Sequence, residues 1–525
     1  MPGLSILRAS FCGFLEFFWE ERVSGVDIYS NRFTFACYIY IYLGIAVFFL
    51  GWVRAIFAIP ALLLLGSCLW RHWGTLRERE ERRRESLVIG WGTLAAAGVF
   101  CIFLCLVAGQ GAFFVQAGDW EKHNFVLNDL VVSRWPVCYH NDDSDAMLTY
   151  YIAQYLVPAL FGKVFSSFRA AEVALLVCNV VGILGVLLLV FRVVRADTGK
   201  KRVVSALIFA LFGTCLFLGK ALYGATGIGS ADISGAREWI SNSYQLQYRT
   251  LFTCLRWAFP QAVVPWMATL LFLEEHKNVR VYALIAAPLV LYATFPLVGI
   301  AALMVGVVLS RAFTEKDLKA LAKEVFSPSN VAVAVAFLIP VVYILGNLSG
   351  EKVPEVGFAH VDFGINATVY FCFVAAFLVY TVVIFEMYKK DLLFYLVNIS
   401  LLILPFFRMG IFNDFTMSVS IPAVFLLMVF VLKALFAYSR EAAKRPGRLA
   451  VLALLISLGA VYPAQEMAEV VKAPISFAGA MPGSLDDWAR RDGSVGAAEA
   501  YNYFAYDHEE QLFYRYFSRR DISAK

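Results

Sequence analysis

Charged side chains are scarce in this chain. Asp, Glu, Lys and Arg together make up 16% of it, where a soluble domain carries about a quarter. With 60% hydrophobic residues and a mean hydropathy of +0.68, that shortage excludes a water-soluble protein of 525 residues. Several other features are missing. The residues before Phe33 include Glu16, Glu20 and Glu21 and lack a basic stretch leading to a cleavage site, so no removable signal peptide is expected and the first span serves as the membrane address. The glycines of Tyr223 to Gly229 lack the strand and helix that would make them a nucleotide fingerprint. No internal repeat is present. Ten cysteines suggest a disulfide or metal framework, but Cys37, Cys68, Cys101, Cys105, Cys178, Cys215 and Cys372 sit in apolar runs, where cysteine packs as a small apolar residue. A bridge between Cys138 and Cys254 is left open.

What is present is a series of apolar stretches, each of about 17 to 25 residues and long enough as a helix to cross about 30 Å of hydrocarbon. They cover roughly 33–50, 52–70, 87–109, 168–191, 203–219, 258–274, 281–310, 331–347, 365–387, 391–407, 419–438 and 448–463. A break at Phe295–Pro296 splits the stretch 281–310. The expectation is an all-α, polytopic transmembrane bundle of about thirteen helices. Basic residues collect in Arg71 to Arg84, Arg192 to Arg202, Arg311 to Lys323 and Arg440 to Arg448, which places those loops in the cytoplasm. The N-terminus is then inside and the C-terminus outside. The alternating charges of Arg77 to Glu85 are expected to form a solvated helical extension. A net charge of +5 reflects this basic face and gives no reason to expect nucleic acid.

Polar chemistry concentrates on the opposite, outer side. Asp119, Lys122 and His123 stand at i, i+3 and i+4, one face of a helix, and Asp129 follows Lys122 by two turns. A carboxylate there suits a general base toward an acceptor hydroxyl, with Lys122 and His123 holding a phosphate; a local ion-pair stripe is the alternative. The loop continues through Arg134 to Asp142, Asp143 and Asp145, whose carboxylates suit Mg²⁺, Mn²⁺ or Ca²⁺. The alternative is a solvated cluster in which Ser144 or Asp145 caps a helix from Met147 to Phe165. That helix, studded with Tyr150, Tyr151, Gln154, Tyr155 and Lys163, is expected to be re-entrant or interfacial and to roof the site. Gln245, Arg249 and Arg256 fall near one helical stripe and suit a phosphate or pyrophosphate, or the anchoring of lipid phosphates in general. Arg408, Asn413 and Asp414 form a third outer element, which binds sugar hydroxyls or positions an arginine, or is a tight turn capping the next helix.

These residues carry a resemblance. Gly118-Asp119-Trp120-Glu121-Lys122-His123 directly after a span, then Trp135-Pro136, Tyr150-Tyr151, and Asn413-Asp414-Phe415 with Ser420-Ile421-Pro422 are similar to the GT-C class of integral-membrane glycosyltransferases, including bacterial members. The resemblance implies a sugar taken from a polyprenyl-phosphate donor and passed to a glycan, lipid or protein acceptor on the outer face of a bacterial cytoplasmic membrane. It maps the base onto Asp119. It departs from the class in one respect: a hairpin from Phe33 to Trp70 precedes the acidic loop, which commonly follows the first span. The implied organisation is an N-terminal segment and hairpin (1–86), a catalytic membrane module (87–463) and an outer tail (464–525) whose aromatic residues fold back over the loops. A Mg²⁺ or Mn²⁺ cofactor belongs to the acidic-loop reading, and no organic cofactor is expected. A transporter or lipid flippase and a non-catalytic assembly partner are the alternative functions.

Overall fold

The computed structural model describes residues 25–82, 86–139, 145–227, 238, 240, 246–315, 317–348, 360–361, 367–408, 413–489, 503–505 and 510–520. The early acidic residues Glu16, Glu20 and Glu21 lie outside them. The helices in chain order are α1 (Asn31–Trp52), α2 (Ala55–Arg82), α3 (Trp91–Val107), α4 (Trp120–Val132), α5 (Ala153–Val164), α6 (Phe168–Val194), α7 (Gly199–Leu211), α8 (Leu216–Ala225), α9 (Leu251–Trp257) and α10 (Val263–Glu275). They continue as α11 (Tyr282–Ala286), α12 (Leu289–Tyr292), α13 (Thr294–Thr314), α14 (Leu318–Val325), α15 (Pro328–Leu345), α16 (Ala367–Tyr388), α17 (Leu392–Ile403), α18 (Asp414–Val419), α19 (Ile421–Arg440), α20 (Pro446–Gly459), α21 (Val461–Lys472) and α22 (Leu485–Ala489).

Among the described residues, seven helices are long and apolar enough to cross a membrane, or nine if each of two bent pairs is one span. Three shorter apolar stretches, Trp91–Val107, Val279–Tyr292 and Leu392–Phe406, fall below that length, so the described helices fall short of the expected thirteen. The 17 residues of α3 reach only about 26 Å at 1.5 Å per residue, short of the hydrocarbon thickness. The break in 281–310 comes at Ala293, which is extended (φ −169, ψ 95), two residues before the expected Phe295–Pro296. Pro296 instead sits in the first turn of α13, where a missing N–H costs no hydrogen bond.

The bent pairs are α7 with α8, at 45°, and α20 with α21, at 41°. The two breaks meet: a Cβ on Gly459 would lie 2.4 Å from Gly213 O, so only glycine permits this approach. A break within lipid frees backbone carbonyls that need donors. Tyr380 OH supplies one, lying 2.9 Å from Leu455 O and 3.2 Å from Gly213 O.

Strand β1 (Gly25–Asp27), just before α1, pairs antiparallel with β2 (Val88–Gly90), just before α3, and the N-terminal hairpin is built into the common core. Tyr40 OH donates to Cys178 O on α6 at 3.0 Å, and Tyr42 OH donates to Leu284 O on α11 at 2.9 Å. At the far end of α1, Trp52 packs on Trp135 with ring centroids 4.9 Å apart.

Small ladders organise the loops at that end of the bundle. Strand β4 (Ala146–Leu148) pairs antiparallel with β3 (Cys138–Tyr139) on one side and with β7 (Phe504–Ala505) from the tail on the other. This corrects the helix expected from Met147. The backbone groups of 146–148 are taken by two neighbouring strands, and α5 starts at Ala153 without a side-chain cap. The capping role expected of Ser144 or Asp145 falls with it; Ser144 lies outside the described residues. At 12 residues, α5 is too short to span. The tail is fixed to this ladder: Thr149 N donates to Tyr503 O at 2.8 Å, and the Tyr503 ring lies 4.5 Å from that of Tyr150.

Candidate functional site

The site is built at the start of α4. Asp119 immediately precedes the helix, and Lys122 one turn on forms an ion pair with its Oδ1 at 3.2 Å. Both remain accessible, with side chains 32% and 15% exposed respectively. The helix is held in place by Trp120, whose Nε1 donates to Arg256 O at 2.7 Å and whose ring stacks on Phe259 at 5.0 Å.

His123 faces inward and is buried. Its Nε2 lies 3.1 Å from Trp257 O and its Nδ1 2.7 Å from Tyr155 OH. A carbonyl only accepts, so Nε2 carries the proton and Nδ1 accepts from the tyrosine. Burial, with Lys122 adding to it, lowers the imidazole pKa from 6.5 to about 4. The ring is therefore neutral at pH 7, and both nitrogens are committed to the protein.

Asp129 is also buried and committed. Its Oδ2 accepts from Tyr139 OH at 2.8 Å, Leu485 N at 2.9 Å and Ser484 Oγ at 3.4 Å. Burial outweighs those donors and moves the carboxyl up from 3.8 to about 6. Asp129 thus links α4 to the strand β3 and to the start of α22.

The expected stripe of Gln245, Arg249 and Arg256 is not one helix face. Thr250 is extended (φ −63, ψ 161) and caps α9 by accepting from Thr253 N, which leaves Arg249 outside the helix. Gln245 lies outside the described residues. The two arginines consequently differ. Arg256 is a clamp: its Nη1 donates to Val115 O at 3.1 Å and Val107 O at 3.4 Å, and its Nε lies 3.3 Å from Glu466 Oε1. Arg249 has a buried Nη1 with no hydrogen-bond partner among the described residues.

The third element converges on the same place. Asn413, in the left-handed region (φ 56, ψ 43), turns the chain into α18, and its buried Oδ1 has no partner among the described residues. Asp414 follows. Its carboxyl lies within the Coulombic field of Arg249, Lys122 and Asp119, and Arg249 also acts on His123. Tyr151 borders the group, feeling Lys122 and Asp414 and accepting from Gln261 Nε2 at 3.2 Å. Two carboxylates and two cations from three separate segments therefore lie within electrostatic range of one another.

The other expected residues are distributed differently. Arg134 is exposed on the turn after α4. Arg408 lies in β6 (Phe407–Arg408), paired with β5 (His360–Val361), and its side chain is outside the described residues. So are Asp142 and Asp143, while Asp145 directly precedes β4. Among the described residues no group of three or more His, Cys, Asp or Glu side chains is placed to hold a metal ion, and no disulfide joins Cys138 to Cys254. Sequence reasoning missed Glu466, Glu238 and Thr253. A carboxylate in an apolar run, as at Glu466 between Tyr462 and Val470, was the available signal. No family model matches the chain, and no curated protein or solved structure matches it.

Proposed function

We propose that the protein is a membrane glycosyltransferase that moves a sugar from a polyprenyl-phosphate donor to an acceptor hydroxyl. The observation that carries this reading is the convergence of Asp119, Lys122, Arg249 and Asp414, with the Arg249 Nη1 buried and unpartnered. Asp119 takes the proton as the acceptor oxygen attacks the anomeric carbon. The bond from that carbon to the phosphate oxygen breaks, and Arg249 and Lys122 stabilise the departing negative charge. Asp414 and Asn413 Oδ1 accept from sugar or acceptor hydroxyls. His123 positions α4 against α5 and α9 without exchanging a proton. The aromatic tail ladder forms the acceptor wall.

In this reading the chain has about thirteen crossings of a bacterial cytoplasmic membrane, with the N-terminus inside and the site outside. A Mg²⁺ or Mn²⁺ requirement enters only through Asp142, Asp143 and Asp145; unchanged transfer in EDTA removes it. A transport function is the second reading. It is favoured by the two bent pairs and by buried Lys220 on one of them, 4.6 Å over the Tyr462 ring. Reconstituted protein separates the two: label joined covalently to an acceptor supports transfer, while label crossing the bilayer unchanged supports transport.

A further inference from the structure

At the other end of the bundle, the 27-residue α6 carries the chain roughly 40 Å away from the Asp119 cluster. There a cavity of about 330 Å³ opens between α6, α10, α17 and α19, within the range of small-ligand sites, about 300–1,000 Å³. Its walls carry Arg192, Arg195 and Lys433 against only Glu274 and Asp391, with Tyr29, Tyr388 and Phe430 as aromatic sides.

Both carboxylates are already engaged. Glu274 pairs with Arg192. Asp391 Oδ1 accepts from Leu393 N at 2.9 Å and Phe394 N at 3.3 Å, capping α17. Arg192 is itself buried, donating from Nη1 to Ile28 O at 3.0 Å and to Thr34 Oγ1 at 2.8 Å, yet its buried Nε has no partner among the described residues. Lys433 projects from α19, a helix otherwise buried almost throughout; it feels Asp391 and Glu274 through space, with no hydrogen bond or ion pair to any described residue. An unpaired cation in so apolar a helix is costly unless a counter-anion offsets it.

We propose that this cavity is a phosphate-binding site, with Lys433 as its principal cation and the Arg192 Nε as a second donor. Tyr29 OH and Tyr388 OH donate to Arg192 O at 3.2 Å and Phe430 O at 3.1 Å, which fixes their rings as the aromatic walls of the cavity. A phosphate can arrive there as a soluble ion or as the headgroup of an anionic lipid, and the chemistry of recognition is the same. The site is independent of the sugar-transfer reading, since it shares no residue with the Asp119 cluster.

The test is thermal unfolding of the full-length protein. Inorganic phosphate is titrated in neutral detergent, and nanodiscs of phosphatidylcholine are compared with and without phosphatidylglycerol. The proposal expects a saturable rise of about 1–2 °C in wild type at tenfold excess over Kd, absent in Lys433→Gln and kept in Lys433→Arg. A rise in phosphate alone identifies a soluble ligand; a rise with phosphatidylglycerol that abolishes the phosphate response identifies a lipid. Arg195→Gln, at the rim, provides a second variant and should weaken the response. No rise from either source in wild type, or an equal rise in Lys433→Gln, overturns the site.

Discussion

Glu238 and Glu466 meet at one hydroxyl: Thr253 Oγ1 lies 2.7 Å from Glu238 Oε1 and 2.9 Å from Glu466 Oε2. A hydroxyl has one proton to give, so one of the two contacts requires a protonated acid. Glu466 also accepts from Trp257 Nε1 at 2.6 Å and faces Arg256. Glu238 holds the proton. Burial, reinforced by the neighbouring Glu466, raises its pKa from 4.5 to about 7. This pair lies directly behind the Arg256 clamp and the Trp257 carbonyl that orients His123.

The sign of the resulting pH dependence is defined. Between about 4.5 and 7 the folded protein holds a proton that the unfolded chain has released, so the contribution is complete below 4.5 and is lost as pH rises through about 7. Glu238→Gln, which keeps a donor for Thr253, should remove this slope and be at least as stable as wild type at pH 8. Thermal unfolding from pH 5 to 8 in detergent measures it, and an unchanged slope assigns the titration elsewhere.

His123 has the opposite sign. Its lowered pKa gives stability that is complete above 6.5 and lost as pH falls through about 4. His123→Phe leaves Tyr155 OH and Trp257 O without partners, at a cost of about 2–4 kcal/mol, and removes the loss on acidification. Denaturant unfolding at pH 5 and pH 7 reads both effects.

Arg249 and Arg256 should separate function from stability. Arg249→Ala is expected to weaken binding of a polyprenyl-phosphate donor about tenfold or more with the unfolding midpoint unchanged, because its Nη1 bonds none of the described residues. Arg256→Ala breaks a buried pair and two carbonyl contacts and should cost about 3–5 kcal/mol. Donor titration alongside thermal unfolding of both variants checks this; equal destabilisation would contradict the division.

Asp129 ties the tail to α4 through Leu485 N and Ser484. Asp129→Ala should speed proteolysis within 464–525 about tenfold or more, since two donors there lose their acceptor at about 1–3 kcal/mol each. Cleavage at the wild-type rate would show that the other contacts, among them the β4–β7 ladder and Ala480 N to Glu172, hold the tail without Asp129.

The membrane class and most helices were legible because hydrophobic run length is a local property, and the strongest runs became α1, α6, α16 and α19. Asp119 and Lys122 were legible because their i, i+3 spacing survives in α4. The helix expected from Met147 was not, since tertiary pairing with Phe504–Ala505, more than 350 residues away in sequence, decides that segment against its local pattern. The Arg249–Arg256 stripe failed for a local reason: Thr250 offers a side-chain cap that ends the run of helical geometry between the two arginines. The fate of Arg256 and His123 depended on partners from distant elements, which spacing does not reveal.

The most direct test of the account is sugar transfer from a panel of polyprenyl-phosphate donors by membranes containing wild type or Asp119→Asn at matched protein level. The account predicts transfer by wild type and a loss of about 10² or more in the variant, with donor binding retained through Arg249 and Lys122. Transfer by Asp119→Asn at the wild-type rate, or transfer from no donor by wild type, would contradict it.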